Sequence, residues 1–203
     1  VTDYVKLNFG RAKRNGRTAL GLVMIMFQKL ASSSTAAILS AMRTRLYRLE
    51  NGLYEDDYME YEQSDLIDDF ESETEESIDF DSYGSTPTMM EEEEMQNLRN
   101  LIAEAERCQE YEEDAKATAL KNLIRQFQIK ENDPNLKLIV FTEFRTTQRY
   151  LKKVLEESGI TCSTIDGSMT LEARKQSLVN FKEHCRVMVA TDAAGESLNM
   201  QFC

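Results

Sequence analysis

The chain has 203 residues, of which 41% are apolar and 30% charged, with a net charge of −12. That length bounds it to one or two domains, and the longest apolar run, Ala19 to Phe27, is too short for a bilayer-spanning helix, which takes about 20 residues. The four cysteines (Cys108, Cys162, Cys185, Cys203) show no close pairing and no Cys-x-x-Cys, which points to free thiols in a reducing cytosol and away from a disulfide framework or a zinc site.

The charge is divided unevenly. Residues 50–96 hold nineteen Asp/Glu and no Lys/Arg, residues 1–49 hold nine Lys/Arg and one Asp, and residues 97–203 are nearly balanced with fifteen basic and sixteen acidic residues. Overall acidity is therefore weak evidence against a nucleic-acid partner, because binding depends on local charge.

In chain order, residues 1–17 are polar and basic, and Asn15-Gly16 reads as a turn. No cleavage-site pattern follows the basic stretch Arg11 to Arg17, so a cytoplasmic location without a membrane is expected. From Thr18 to Leu49, apolar residues recur at Leu22, Met26, Leu30, Ile38, Met42, Leu46 and Leu49, which is helical spacing. Ser32-Ser33-Ser34-Thr35 interrupts it and offers a helix cap, so two helices are predicted at about 17–31 and 34–50. Arg43, Arg45 and Arg48 lie near the end of the second, where positive charge suits the helix dipole.

Residues 51–95 set tyrosines and phenylalanines among carboxylates. That charge density opposes independent collapse, and a mobile acidic insertion is expected, with mimicry of a nucleic-acid backbone as the sharper alternative. Glu91 to Phe127 carries a helical apolar stripe, softened around Glu110 to Asp114, and Asp133-Pro134 ends it. A helical lead-in over 96–133 is expected from this stretch.

Beyond Leu136 the pattern alternates: strand 137–141, helix 146–158 closed by Gly159, strand 161–165, helix 171–181, strand 186–190. Such alternation implies a parallel sheet with right-handed crossovers. The three strands run into Thr142-Glu143-Phe144-Arg145, Asp166-Gly167-Ser168 and Thr191-Asp192. In open α/β sheets ligands bind beyond the carboxyl ends of the strands, so these three ends form one candidate face.

These stretches resemble the second RecA-like lobe of superfamily-two helicase-like ATPases. Leu138 to Thr147 is similar to motif IV, Ile165-Asp166-Gly167-Ser168-Met169 with Arg174 and Phe181 to the block that follows it, and residues 187–201, with Ala190-Thr191-Asp192-Ala193-Ala194-Gly195-Glu196-Ser197-Leu198-Asn199, to motif V. Lys116 to Ile124 resembles the helix leading into this lobe in Swi/Snf-type enzymes, and the N-terminal helices resemble the helical region of their bacterial members. The resemblance implies a partial RecA-like (P-loop NTPase-type) α/β fold over 134–203, preceded by a helical region over 1–50, and a parent protein that translocates on double-stranded DNA with ATP and Mg²⁺.

By position it implies nucleic-acid contacts at Thr142, Arg145, Gly167, Ser168 and Thr191, with a backbone amide and a hydroxyl from Gly167 and Ser168 meeting phosphate, and places Gly195 and Glu196 at the nucleotide cleft. Asp192 also suits a helix cap, and Arg145 and Arg174 also suit ordinary surface charges. His184 sits in a polar loop and is expected to face solvent. Ser197 stands where the family has glycine.

No Gly-x-x-x-x-Gly-Lys-Ser/Thr and no Asp-Glu-x-His occur, and the family's arginine-rich motif VI is missing from the chain. Phosphoryl transfer then lacks most of its electrostatic parts. The expectation is a chain that neither hydrolyses nor retains ATP alone, whose partners are duplex DNA and the first RecA-like lobe, and which self-associates through an open sheet edge. A rival reading is a stand-alone module whose acidic segment binds a basic partner.

Overall fold

In the computed structural model of the chain, the described residues are 1–15, 18–51, 89–111 and 113–191. They divide into two compact units, Val1–Glu112 and Glu113–Cys203.

The first unit is helical: α1 (Thr2–Asn15), α2 (Thr18–Ser33), α3 (Thr35–Glu50) and α4 (Met89–Tyr111), packed α1 on α2, α2 on α3 and α3 on α4. α1 is an element that the polar reading of residues 1–17 misses. Its buried stripe is Tyr4, Asn8 and Ala12, four apart, with Val5 beside it, while Lys6, Lys13 and Arg14 lie with Leu7 and Phe9 on the exposed side. In α2 the deepest positions are Leu20, Met24, Phe27 and Leu30, while Leu22 and Met26 are half-buried, so the core-facing stripe is rotated from the one expected. Ser34 caps α3 by accepting from the Ala37 amide at 3.1 Å, which separates α2 from α3 as the serine run predicts.

α4 corrects two boundaries. It begins at Met89, inside the stretch expected as acidic insertion, and it packs with α3, so the lead-in expected over 96–133 is shared between the two units. The reason is electrostatic as well as apolar. Besides burying Leu98, α4 places Glu94 against Arg45 at 3.0 Å, Glu93 against Arg11 at 2.9 Å and Glu106 against Arg43 at 2.6 Å. Arg43 and Arg45 are thus ion-pair partners of α4 and not only dipole charges. The acidic segment 52–88 lies outside the described residues.

The second unit runs α5 (Ala115–Lys130), β1 (Leu138–Thr142), α6 (Arg145–Glu157), β2 (Cys162–Ile165), α7 (Leu171–Glu183) and β3 (Val187–Thr191). Asp114 caps α5 through the Lys116 amide at 2.9 Å, so the softer stretch before it is a true break. The strands begin one residue later than expected, and all pairing is parallel in the order β1-β3-β2, with Thr142 opposite Thr191 and Ile165 opposite Ala190. β1 and β2 are the edges of this described sheet, and the β1 residue Phe141 is 55% exposed.

β3 is buried along its whole length because both faces of the sheet are covered. On one face Val187 and Val189 meet Leu151, Val154 and Leu155 of α6 and Ala117 and Ile124 of α5. On the other, Met188 and Ala190 meet Phe181, Ile165 and Cys185. The period-two alternation of β3 serves both cores. At the amino-terminal end, Lys137 Nζ donates to the Phe181 and Cys185 carbonyls at 2.7 and 2.8 Å, closing the end of α7.

Candidate functional site

The candidate site is the carboxyl edge of the three-stranded sheet. Register places the Thr142 backbone beside Thr191, because β1 pairs directly with β3. Thr142 is half-buried and Thr191 buried. Only two residues separate β1 from α6, so Arg145, the first residue of that helix, stays at the same edge. Phe144 takes the cap position with no side-chain hydrogen bond and is instead buried as an anchor.

The turn after β2 carries Gly167 and Ser168, both exposed. It is held from both sides. Asp166 Oδ1 accepts from the Ser168 amide at 3.0 Å and from the Ser168 hydroxyl at 2.7 Å. Arg174, from the first turn of α7, donates Nε to the Met169 carbonyl at 3.1 Å and Nη2 to the Gly167 carbonyl at 2.6 Å. Arg174 is therefore a brace for the turn and not a surface charge. Arg145 stands with its Nε 3.7 Å from Asp166 Oδ1 in a half-screened ion pair. Thr170 caps α7 through the Ala173 amide.

The structure thus brings Thr142 beside Thr191 on one side of β3, and Gly167, Ser168 and Arg145 together on the other. The Ser168 hydroxyl, expected to be offered to phosphate, is occupied by Asp166, as is the Ser168 amide, so an anion taking those donors exchanges with an internal carboxylate. Gly195, Glu196, Asp192 and Ser197 lie outside the described residues. His184 is exposed beside Glu183, as its polar loop predicts.

Two residues of this edge were missed by sequence reasoning. For Asp166 the sequence shows a polar strand end and a place in the block 165–169, but not its hold on the turn. Gln148 is 2% exposed and donates Nε2 to the Ile165 carbonyl at 2.8 Å and to the Val189 carbonyl at 2.9 Å. A signal for it existed: Gln148 falls three before Leu151 and seven before Leu155, an amide on the apolar stripe of α6. A buried amide needs partners, and backbone carbonyls of β2 and β3 supply them here.

Cys162 and Cys185 are buried free thiols, and Cys108 is an exposed one. Burial, with the nearby Glu156 charge adding to it, pushes the Cys162 thiol up to about 12. Burial likewise raises Cys185. Both side chains pack in the apolar cores flanking β3.

Residues 115–203 match the helicase conserved C-terminal domain. This stretch is similar to helicase-type C-terminal domains. The chain is also 31% identical over 98 residues to an uncharacterised ATP-dependent helicase, YqhH, of Bacillus subtilis (strain 168), covering 48% of this chain and 16% of the relative. The chain therefore spans about a sixth of that curated relative's length. Among solved structures it is similar to the Pyrococcus furiosus Hef helicase domain, with a TM-score of 0.51 and 19% identity over 89% of this chain and 32% of that one. That likeness bears on the fold: a partial RecA-like sheet with flanking helices. No described helix is long and apolar enough to cross a membrane.

Proposed function

We propose that the chain is part of a Swi/Snf-type ATPase that uses ATP to translocate on double-stranded DNA, and that the carboxyl edge of the sheet is its DNA-tracking surface in the second lobe. The observation that carries this reading is the convergence of Thr142, Thr191, Arg145, Gly167 and Ser168 on that edge of a helicase-type domain. Backbone groups, hydroxyls and one guanidinium suit phosphate oxygens, which position a duplex without reading its sequence. The N-terminal helices and the Lys116 to Ile124 segment support the Swi/Snf subtype by their resemblance.

ATP and Mg²⁺ belong to the parent's chemistry, with Gly195 and Glu196 facing the nucleotide and the first RecA-like lobe as partner. The described residues bring no three His, Cys, Asp or Glu side chains together as a metal donor set, so no step through Mg²⁺ is assigned to them. Their part is to bind and orient the nucleic-acid backbone.

The test is duplex binding across a salt series. Deleting residues 52–88 removes fourteen Asp/Glu and no Lys/Arg while keeping the Glu93 and Glu94 pairs of α4, and it should strengthen binding. In that background Arg145→Ala should weaken binding equally for two unrelated sequences and flatten the salt slope by roughly one counterion. Strong sequence discrimination, or binding indifferent to Arg145→Ala, rejects the surface. Capture of a basic protein by residues 52–88 with no duplex binding would favour the interaction-module reading instead.

A further inference from the structure

α6 grips the carboxyl end of β2 twice along one helical face. Arg145 pairs with Asp166, and Gln148, three residues on, bonds the Ile165 carbonyl just before it. Gln148 also reaches further. The same Nε2 bonds the Val189 carbonyl, so one nitrogen joins the last residue of β2 to a residue two before Thr191 on β3.

The position of this tie matters. The β2–β3 register ends at the pair Ile165 and Ala190. Beyond it the chains part: Asp166 to Ser168 turns away under Asp166 and Arg174, while Thr191 continues beside Thr142. The two halves of the candidate face are thus anchored to different elements, and Gln148 stands at their junction. A primary amide carries two hydrogens in a fixed planar fork, so donating both sets the separation of the two carbonyl oxygens. Asparagine is one methylene shorter, methionine fills similar volume with no donor, and glutamate turns acceptor oxygens toward two carbonyls.

Resting on the reading of this edge as a phosphate-contacting face, we propose that Gln148 is its positioning residue, holding the 166–168 turn and the end of β3 at the spacing at which both take one nucleic-acid backbone. In the wild-type full chain both Nε2 hydrogens should be protected from exchange and show coupling across the hydrogen bonds to the Ile165 and Val189 carbonyl carbons. Exposure or free rotation of that amide overturns the proposal without any variant.

Gln148→Met is then compared with Val154→Ala, a core variant on the same helix that is remote from the strand ends. Both should lower the urea midpoint. Only Gln148→Met should shift the amide signals of Ser168 and Thr191, and it should weaken duplex binding about tenfold, as losing a paired buried donor implies. Equal effects of the two variants on those amides reduce Gln148 to a packing role. Wild-type binding strength retained in Gln148→Met overturns the positioning role alone. An absence of duplex binding by the wild type at low salt overturns the face and, with it, the role built upon it.

Discussion

At the scale of single residues, Glu94 is a buried charge of the first unit. Its carboxylate is 7% exposed and is shared by Arg45 and the Tyr4 hydroxyl, which donates at 2.8 Å. Burial, then the Glu94 charge, raises the Tyr4 phenol well above its ordinary value, so Tyr4 stays a donor. Glu94→Ala removes the buried carboxylate that Arg45 and Tyr4 share and should destabilise the unit by about 3–5 kcal/mol in urea denaturation. Tyr4→Phe, which leaves the ion pair intact, should cost about 1.5–3 kcal/mol. Cys162 gives a pH signature in the second unit. Its folded value of about 12 lies above the ordinary 9.0, so the folded form keeps a proton that the unfolded form loses. The thiol's contribution is complete below the ordinary value and is lost as pH rises toward about 12. Wild type should therefore lose stability with rising alkalinity more steeply than Cys162→Ala, measured as denaturation midpoints across that window.

At the scale of elements, the end of α6 shows how local sequence dictates packing. Gly159 adopts φ +76°, its amide bonds the Glu156 carbonyl at 2.9 Å, and the Ile160 amide bonds the Leu155 carbonyl at 2.9 Å. This paired pattern is a Schellman cap, and Leu155 and Ile160 bury together beyond it. A Cβ at Gly159 meets no atom within 4 Å, so Gly159→Ala isolates the backbone cost of a left-handed residue. It should destabilise by about 1 kcal/mol with no change in fold, read from a shifted urea midpoint at constant m-value. The turn was legible because glycine after an amphipathic run has one common use. α1 was not legible in the same way, because its buried stripe contains Asn8, whose amide bonds the Tyr4 carbonyl inside the helix at 3.1 Å.

At the scale of the whole molecule, the sequence contains no P-loop pattern that would cradle nucleotide phosphates. Purified chain should show no DNA-stimulated ATP hydrolysis above background. Turnover that survives repurification and is abolished by a substitution within residues 113–191 would reject this.

Local composition determined the parallel α/β alternation, the serine cap before α3, the break before α5 and the three polar strand ends, because each is set by periodicity or by a cap within a few residues. Tertiary structure decided that β3 lies between β1 and β2, that α4 belongs with the first three helices, and that Asp166, Arg174 and Gln148 build the edge. Those outcomes depend on partners far apart in sequence. Tyr4 and Arg45 find Glu94, and Gln148 finds Val189, only after the chain has closed loops of 41 to 90 residues. A charged or amide side chain can be placed on a helix face from sequence, but the acceptor that makes its burial affordable is chosen by packing.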